Sequence, residues 1–198
     1  MLLAAVETFP NECMGTLFGS LPACKKYHLI TGAVPIQLAE QRTNDTFRQS
    51  THSTEQLDSL ISKAPELYPT LGSFHSHPEG EEKIKTLLEL AAMSEASKTD
   101  RKNMRRTEEK IMIIVTLSSG KKLVDEWQSD YANNEGWIMG RLGDYNFYIT
   151  AHMLLKKKGK KKKGKIKNVR IIAPEAIEAL NRAQKKIENP PTKGEKKK

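Results

Sequence analysis

Ile111-Met112-Ile113-Ile114-Val115-Thr116-Leu117 is the strongest strand signal in the chain. The run is apolar with almost no alternation, so it predicts a central strand buried on both faces. Runs rich in β-branched or aromatic residues surround it: Cys13 to Phe18, Lys26 to Pro35, Thr70 to His77, Leu123 to Trp127 and Asn146 to Leu155. Ile166 to Ala173 is expected to pair back as a hairpin strand. Helical spacing of apolar residues occurs in Ser53 to Lys63, closed by Pro65 and Pro69, and in Glu81 to Ala96, through Ile84, Leu87, Leu88, Ala91 and Ala92. Lys98 to Lys110 is a charged helix candidate, and Pro174 to Lys186 is another with proline at its start. Residues 2–9 fit the last turns of a helix broken at Pro10-Asn11, whereas 40–52 are polar and predict a loop. The mixture predicts an α/β domain, a mixed β-sheet flanked by helices.

Charge divides the chain. Residues 1–153 carry 16 Lys and Arg against 20 Asp and Glu, whereas 154–198 carry 17 against 4. The first part is therefore mildly acidic, and all of the +9 net charge comes from the last 45 residues. This predicts a domain over 1–153 and a lysine-rich C-terminal extension over 154–198, ending in a disordered Pro-Pro-Thr-Lys-Gly-Glu-Lys-Lys-Lys. No apolar run is long enough to span a bilayer, and Met1 to Val6 lacks the basic lead-in of a signal peptide. Two cysteines, Cys13 and Cys24, do not make a disulfide scaffold, so a reducing, cytoplasmic setting is expected.

The chemistry concentrates in Gly72-Ser73-Phe74-His75-Ser76-His77-Pro78. Side chains alternate along a strand, so His75 and His77 share a face and Pro78 ends the strand. Two imidazoles side by side suit a zinc ion, which accepts imidazole nitrogen. Taken alone, the pair also fits two ordinary histidines near a strand end. A zinc hydrolase needs a third protein ligand, an open position for water and a carboxylate to take that water's proton. The candidate third ligand is Asp100 in Ser97-Lys98-Thr99-Asp100, and the candidate base is Glu12 in Pro10-Asn11-Glu12-Cys13.

Taken together, Glu12-x-x-Gly15-x-Leu17-x-Gly19, His75-Ser76-His77-Pro78 and Ser97-x-x-Asp100 resemble the JAMM (MPN+) metalloprotease signature, in the same order along the chain. The resemblance covers roughly residues 1–130 and implies an MPN-type domain. It also implies that His75, His77 and Asp100 bind Zn²⁺, that Glu12 acts as general base and then as acid, and that Ser97 donates to the developing oxyanion. It implies a peptidase or isopeptidase that uses a zinc-bound water against amide bonds at the C-terminal tail of a ubiquitin-like or sulfur-carrier-like protein. Fe²⁺ and Mn²⁺ suit the same ligand set.

One departure stands against the pattern. The family spacing places the Ser and Asp at positions 85 and 88, which hold Lys85 and Leu88 here. Thr86-x-x-Glu89 nearly keeps the spacing but changes both residues, whereas Ser97-x-x-Asp100 keeps both residues after an insertion of 12. Asp100 is preferred because ten residues, room for one helix, separate it from the Ile111 strand. The inserted stretch would form a flap beside the zinc. Either sequence also fits a helix capping box. Cys13, next to Glu12, should point the other way and pack, and His28, His52 and His152 are expected to be ordinary.

The extension contributes Lys156 to Lys165, a low-complexity basic run. It fits a solvated tail, a contact with an anionic membrane surface, or non-specific contact with nucleic acid through phosphates. No Phe, Tyr or Trp occurs after Tyr148, so base stacking is not expected. The second functional expectation is a catalytically silent MPN-like binding module, tethered by the extension to nucleic acid or a larger assembly.

Overall fold

The computed structural model describes residues 1–20, 22, 27–37, 39–63, 69–130, 136–155 and 164–190, without the side chains of 53, 54, 57 and 58. Cys24, Pro65, most of the basic run and the last eight residues lie outside them. In chain order the elements are α1 (Leu2–Thr8), β1 (Met14–Ser20), β2 (Leu29–Pro35), β3 (Ala39–Arg42), β4 (Phe47–Gln49), α2 (Thr51–Lys63), β5 (Thr70–Pro78), α3 (Leu87–Met93), α4 (Lys98–Thr107), β6 (Ile111–Ser119), β7 (Gln128–Ser129), β8 (Trp137–Leu142), β9 (Tyr145–Leu155), β10 (Lys165–Val169) and α5 (Pro174–Glu188).

Eight strands form one mixed sheet in the order β2-β1-β5-β6-β9-β8-β7, with β10 also paired to β9. Among the described residues only β5 and β6 run parallel. A parallel pair needs a crossover, and α3 and α4 supply it. The apolar run of 111–117 is indeed central. Its odd residues Ile111, Ile113, Val115 and Leu117 pack in one core with Ala4 and Ala5 of α1 and with Ile177 and Leu180 of α5. Its even residues Met112 and Ile114 pack with Ala96 and with Met104 of α4. On the same face, Leu90 of α3 packs with Ile84, Val124, Met139 and Tyr148. Helices therefore cover both faces, as the unalternating sequence requires.

The chain beyond 153 joins this sheet. Ile166 on β10 is buried beside Met104, and α5 is tied to the preceding chain by side-chain amides. Asn181 Oδ1 accepts from the Trp127 backbone N–H at 2.7 Å, and Gln184 Oε1 accepts from the Gly143 N–H at 2.9 Å. No helix among the described residues is long and apolar enough to cross a membrane.

Three sequence expectations need correction. Residues 40–52 are not a loop: β3 and β4 pair as a hairpin and α2 starts at Thr51. Its turn is built by Asp45, whose Oδ1 accepts from the Thr43 and Thr46 hydroxyls at 2.7 and 3.2 Å. Such a turn needs no apolar pattern. The 81–96 helix shortens to Leu87–Met93, because the N–H groups of Ile84, Lys85 and Thr86 donate to the carboxylates of Glu79 and Glu89 instead of helical carbonyls. Leu123 to Trp127 is not a strand, since the N–H groups of Leu123 and Trp127 are bound by the side chains of Asn146 and Asn181. Strand β8 lies outside every run expected to be a strand.

The join between β1 and β5 sets the position of both histidines. Ser76 is fully buried, on the opposite face of β5 from them. Its backbone N–H donates to the Cys13 carbonyl at 2.9 Å, and its Oγ accepts from the Cys13 N–H at 2.8 Å. Replacing Ser76 by Ala strands the buried Cys13 N–H and should cost about 1–3 kcal/mol, read as a lower denaturation midpoint with an unchanged slope. An unchanged midpoint would show that the hydroxyl is energetically idle.

Candidate metal centre

β5 presents His75 and His77 on the face covered by α3 and α4. Their Nε2 atoms lie 3.0 Å apart, with ring centroids 4.8 Å apart. Two bare nitrogens do not sit at that distance; a proton or a cation belongs between them. His77 fixes its own tautomer. Its Nδ1 lies 2.7 Å from the Met93 carbonyl oxygen at the end of α3. A carbonyl only accepts, so Nδ1 carries the hydrogen and the neutral ring leaves its lone pair on Nε2. A backbone carbonyl behind a histidine is a usual way to orient a metal ligand.

Asp100 completes the group. Its Oδ1 lies 3.5 Å from His75 Nε2 and its Oδ2 lies 3.6 Å from His77 Nε2. The three side chains form a group that could hold a metal ion. Two ligand atoms about 2.0 Å from one tetrahedral zinc lie about 3.3 Å apart. The separations of 3.0, 3.5 and 3.6 Å fall around that edge length. Two imidazoles and a carboxylate are also a donor set that zinc accepts, so the residues fit the ion.

Capping and metal approach coexist at Asp100. Ser97 is the N-cap of α4, and its Oγ accepts from the Asp100 N–H at 3.0 Å. Asp100 Oδ2 in turn accepts from the Ser97 N–H at 2.8 Å. The reciprocal box holds the carboxylate at the start of the helix, facing the imidazoles. Glu89 has the same box with Thr86 at the start of α3, but it is exposed there and lies outside the histidine group. Of the two third-ligand candidates, the structure brings Asp100 to the histidines.

Glu12 enters from the loop before β1. Its N–H donates to the Thr43 carbonyl at 2.7 Å, and its neighbour Cys13 is held by Ser76. Cys13 itself is buried in the core beneath α1, pointing away as expected. Burial, helped by the Asp100 and Asp45 charges and opposed by His77, pushes the Glu12 carboxyl up to about 7. Burial also acts to raise the Asp100 carboxyl, but His75, His77 and the Ser97 side chain outweigh it and hold Asp100 well below the usual carboxylate range. For His77 burial acts to lower the pKa, and Asp100, the Met93 carbonyl and Glu12 reverse it to a net rise. The site thus favours positive charge at His77 and keeps a carboxyl of neutral pKa beside it.

Other supporting groups carry no sequence signal. Glu79, directly after Pro78, is 1% exposed. It accepts from Lys83 Nζ at 2.8 Å, from the Ser119 N–H and hydroxyl at 3.0 and 2.7 Å, and from the Ile84 N–H at 3.3 Å. This pins the chain between β5 and α3. Thr150 donates to the Ser94 carbonyl at 2.7 Å, one residue past the carbonyl that holds His77. The 81–96 stretch is thus a packed element that supports the site. His152 is fully buried behind it, and His52 pairs with Gln56 on the surface.

No protein-family model matches the chain, and no curated protein matches it. The functional reading therefore rests on the geometry of these residues.

Mass spectrometry of zinc-supplied protein should find about one metal per chain. His75→Ala should lose it, Asp100→Asn should weaken it, and Glu89→Gln should leave it intact; loss in Glu89→Gln alone would transfer the third-ligand role. The raised Glu12 pKa makes the stability of the metal-free protein pH-dependent. Native Glu12 binds a proton up to about pH 7, against 4.5 for an ordinary glutamate. Across that window the native state holds more protons than the unfolded one, so stability falls as pH rises. Glu12→Gln should melt higher than wild type at pH 7.5 and alike at pH 4; an equal gap at both would refute the raised pKa.

Proposed function

We propose that the chain is a zinc-dependent amide hydrolase, a peptidase or isopeptidase, built on an MPN-type domain. The observation that carries this reading is the convergence of His75, His77 and Asp100, with the Glu12 carboxyl coupled to His77 and Asp100. The order Glu12, His75-Ser76-His77-Pro78, Ser97-x-x-Asp100 supports the MPN type, as do the place of Glu12 before β1 and of both histidines on a strand between β1 and β6. A mere scaffold has no use for a carboxyl of neutral pKa beside three converging metal-type donors.

His75, His77 and Asp100 would hold the ion. When bound, zinc supplies Lewis acidity and brings the pKa of a water to about 7. Glu12, poised near the same pKa, takes a proton as general base and returns it to the leaving amine as general acid. The Met93 carbonyl keeps His77 Nε2 available throughout. Ser97, at the same helix start as Asp100, would donate its hydroxyl hydrogen to a developing oxyanion, a role the residue resemblance supports. The substrate in this reading is a ubiquitin-like or sulfur-carrier-like protein, cut after its flexible tail, and the residue resemblance is its support.

The test is cleavage of linear and lysine-linked fusions of such proteins by the zinc-loaded full chain, followed by intact-mass analysis. Glu12→Gln should keep its zinc and lose about 10²- to 10⁴-fold in rate; full activity in that variant would sink the reading. Ser97→Gly separates chemistry from capping, because glycine at an N-cap costs only a few tenths of a kcal/mol. It should melt close to wild type yet lose roughly 10²- to 10³-fold in kcat.

A further inference from the structure

α4 has two faces with different tasks. At about 100° per residue, Asp100 and the buried Met104 point to the sheet, and Lys98, Arg101, Lys102, Arg105 and Arg106 fall within an arc of about 140° on the other side. Lys98, Lys102, Arg105 and Arg106 are exposed. Arg101 is half-buried and bridges to Glu95 at 3.3 Å. Arg105 Nε donates to the Gly164 carbonyl at 3.3 Å, at the base of the β9–β10 hairpin. The stretch that joins those strands, 156–163, contains seven lysines by sequence.

We propose that the outer face of α4 docks on the phosphate backbone of a nucleic-acid duplex, without reading its sequence. The chemistry of the face selects this partner. Its apolar residues are spent inside: Met104 is 1% exposed and packs on Met112 and Ile114. A membrane-surface helix needs an apolar face to insert, and a protein interface needs an apolar or aromatic centre; α4 offers neither. It has no aromatic residue for base stacking, which leaves phosphate contact. From Lys98 to Arg106 the axis runs about 12 Å, a length over which a duplex carries about seven charges. Arginine and lysine side by side suit that target. The proposal stands apart from the hydrolase reading, since none of the outward-facing residues belongs to the metal group.

Fluorescence anisotropy of a labelled 20-base-pair duplex with the full chain, from 50 to 300 mM salt, tests it. Wild type should bind with a steep salt dependence. K98Q/K102Q/R106Q removes three charges with a good helix former and keeps the Arg101 and Arg105 contacts; it should weaken binding ~10-fold or more and reduce the log–log salt slope by about 2.7. Hydrogen exchange of wild type with and without duplex is independent of the variant's folding and should show added protection along α4. Unchanged slope and affinity in the variant, or no protection on α4, would assign binding to the lysine run alone and overturn the proposal. So would tighter binding to phosphatidylserine vesicles than to duplex, or equal competition by polyglutamate.

Discussion

Ser76 and Cys13 exchange two hydrogen bonds across the β1–β5 join, and the candidate site depends on that exchange. Ser76 lies between the two histidines in sequence and on the opposite face of the sheet. One short segment thus does two things at once: it anchors the chain after Glu12 and presents His75 and His77 as a pair. The period of two along a strand makes this possible, and a helix could not hold i and i+2 side chains on one face. The parallel neighbour β6 then fixes the height of both imidazoles through the His75–Ile114 and His77–Thr116 register.

The third donor comes by a different route. Asp100 sits in the first turn of α4, where a carboxylate is favoured by the unpaired N–H groups of the helix end. The Ser97 box already restricts its rotamers, so less freedom would be lost on binding an ion. The burial that raises Glu12 fails to raise Asp100, because Asp100 has imidazoles and the Ser97 side chain to face and Glu12 is pressed by two other carboxylates. Two acids close in space are therefore driven in opposite directions.

Much of this is legible in the sequence where a feature repeats with a period or lies on a side chain. The unalternating 111–117 run sets the central strand and the covering on both faces. The H-x-H spacing sets the shared face, and the short distance from Asp100 to Ile111 favours it over Glu89. The β3–β4 hairpin is invisible because its order lies in Asp45 hydrogen bonds rather than in apolar spacing. The 81–96 stretch has helical spacing throughout, yet Glu79 and Glu89 capture the N–H groups that an early start would need. The Met93 carbonyl that orients His77 is backbone, so no residue type could announce it. Glu79 is invisible for a related reason: only the fold shows that an acid in a Pro-Glu-Gly turn is surrounded by four donors.

The far edge of β9 has a consequence of its own. β6 occupies one side of this strand, while β8 pairs with residues 145–150 and β10 with 151–155 on the other, meeting end to end where Gly136 abuts the Val169 carbonyl. β10 is thus a lid on an otherwise open row of backbone donors and acceptors along Ala151-His152-Met153-Leu154-Leu155. A chain stopped before Lys165 would leave that row bare on an apolar strand, a template for edge-to-edge association with its own copies. The lysine-rich end of the chain therefore begins as a guard of the sheet, and Lys165 and Lys167 put charge, a deterrent of strand addition, on the guard itself.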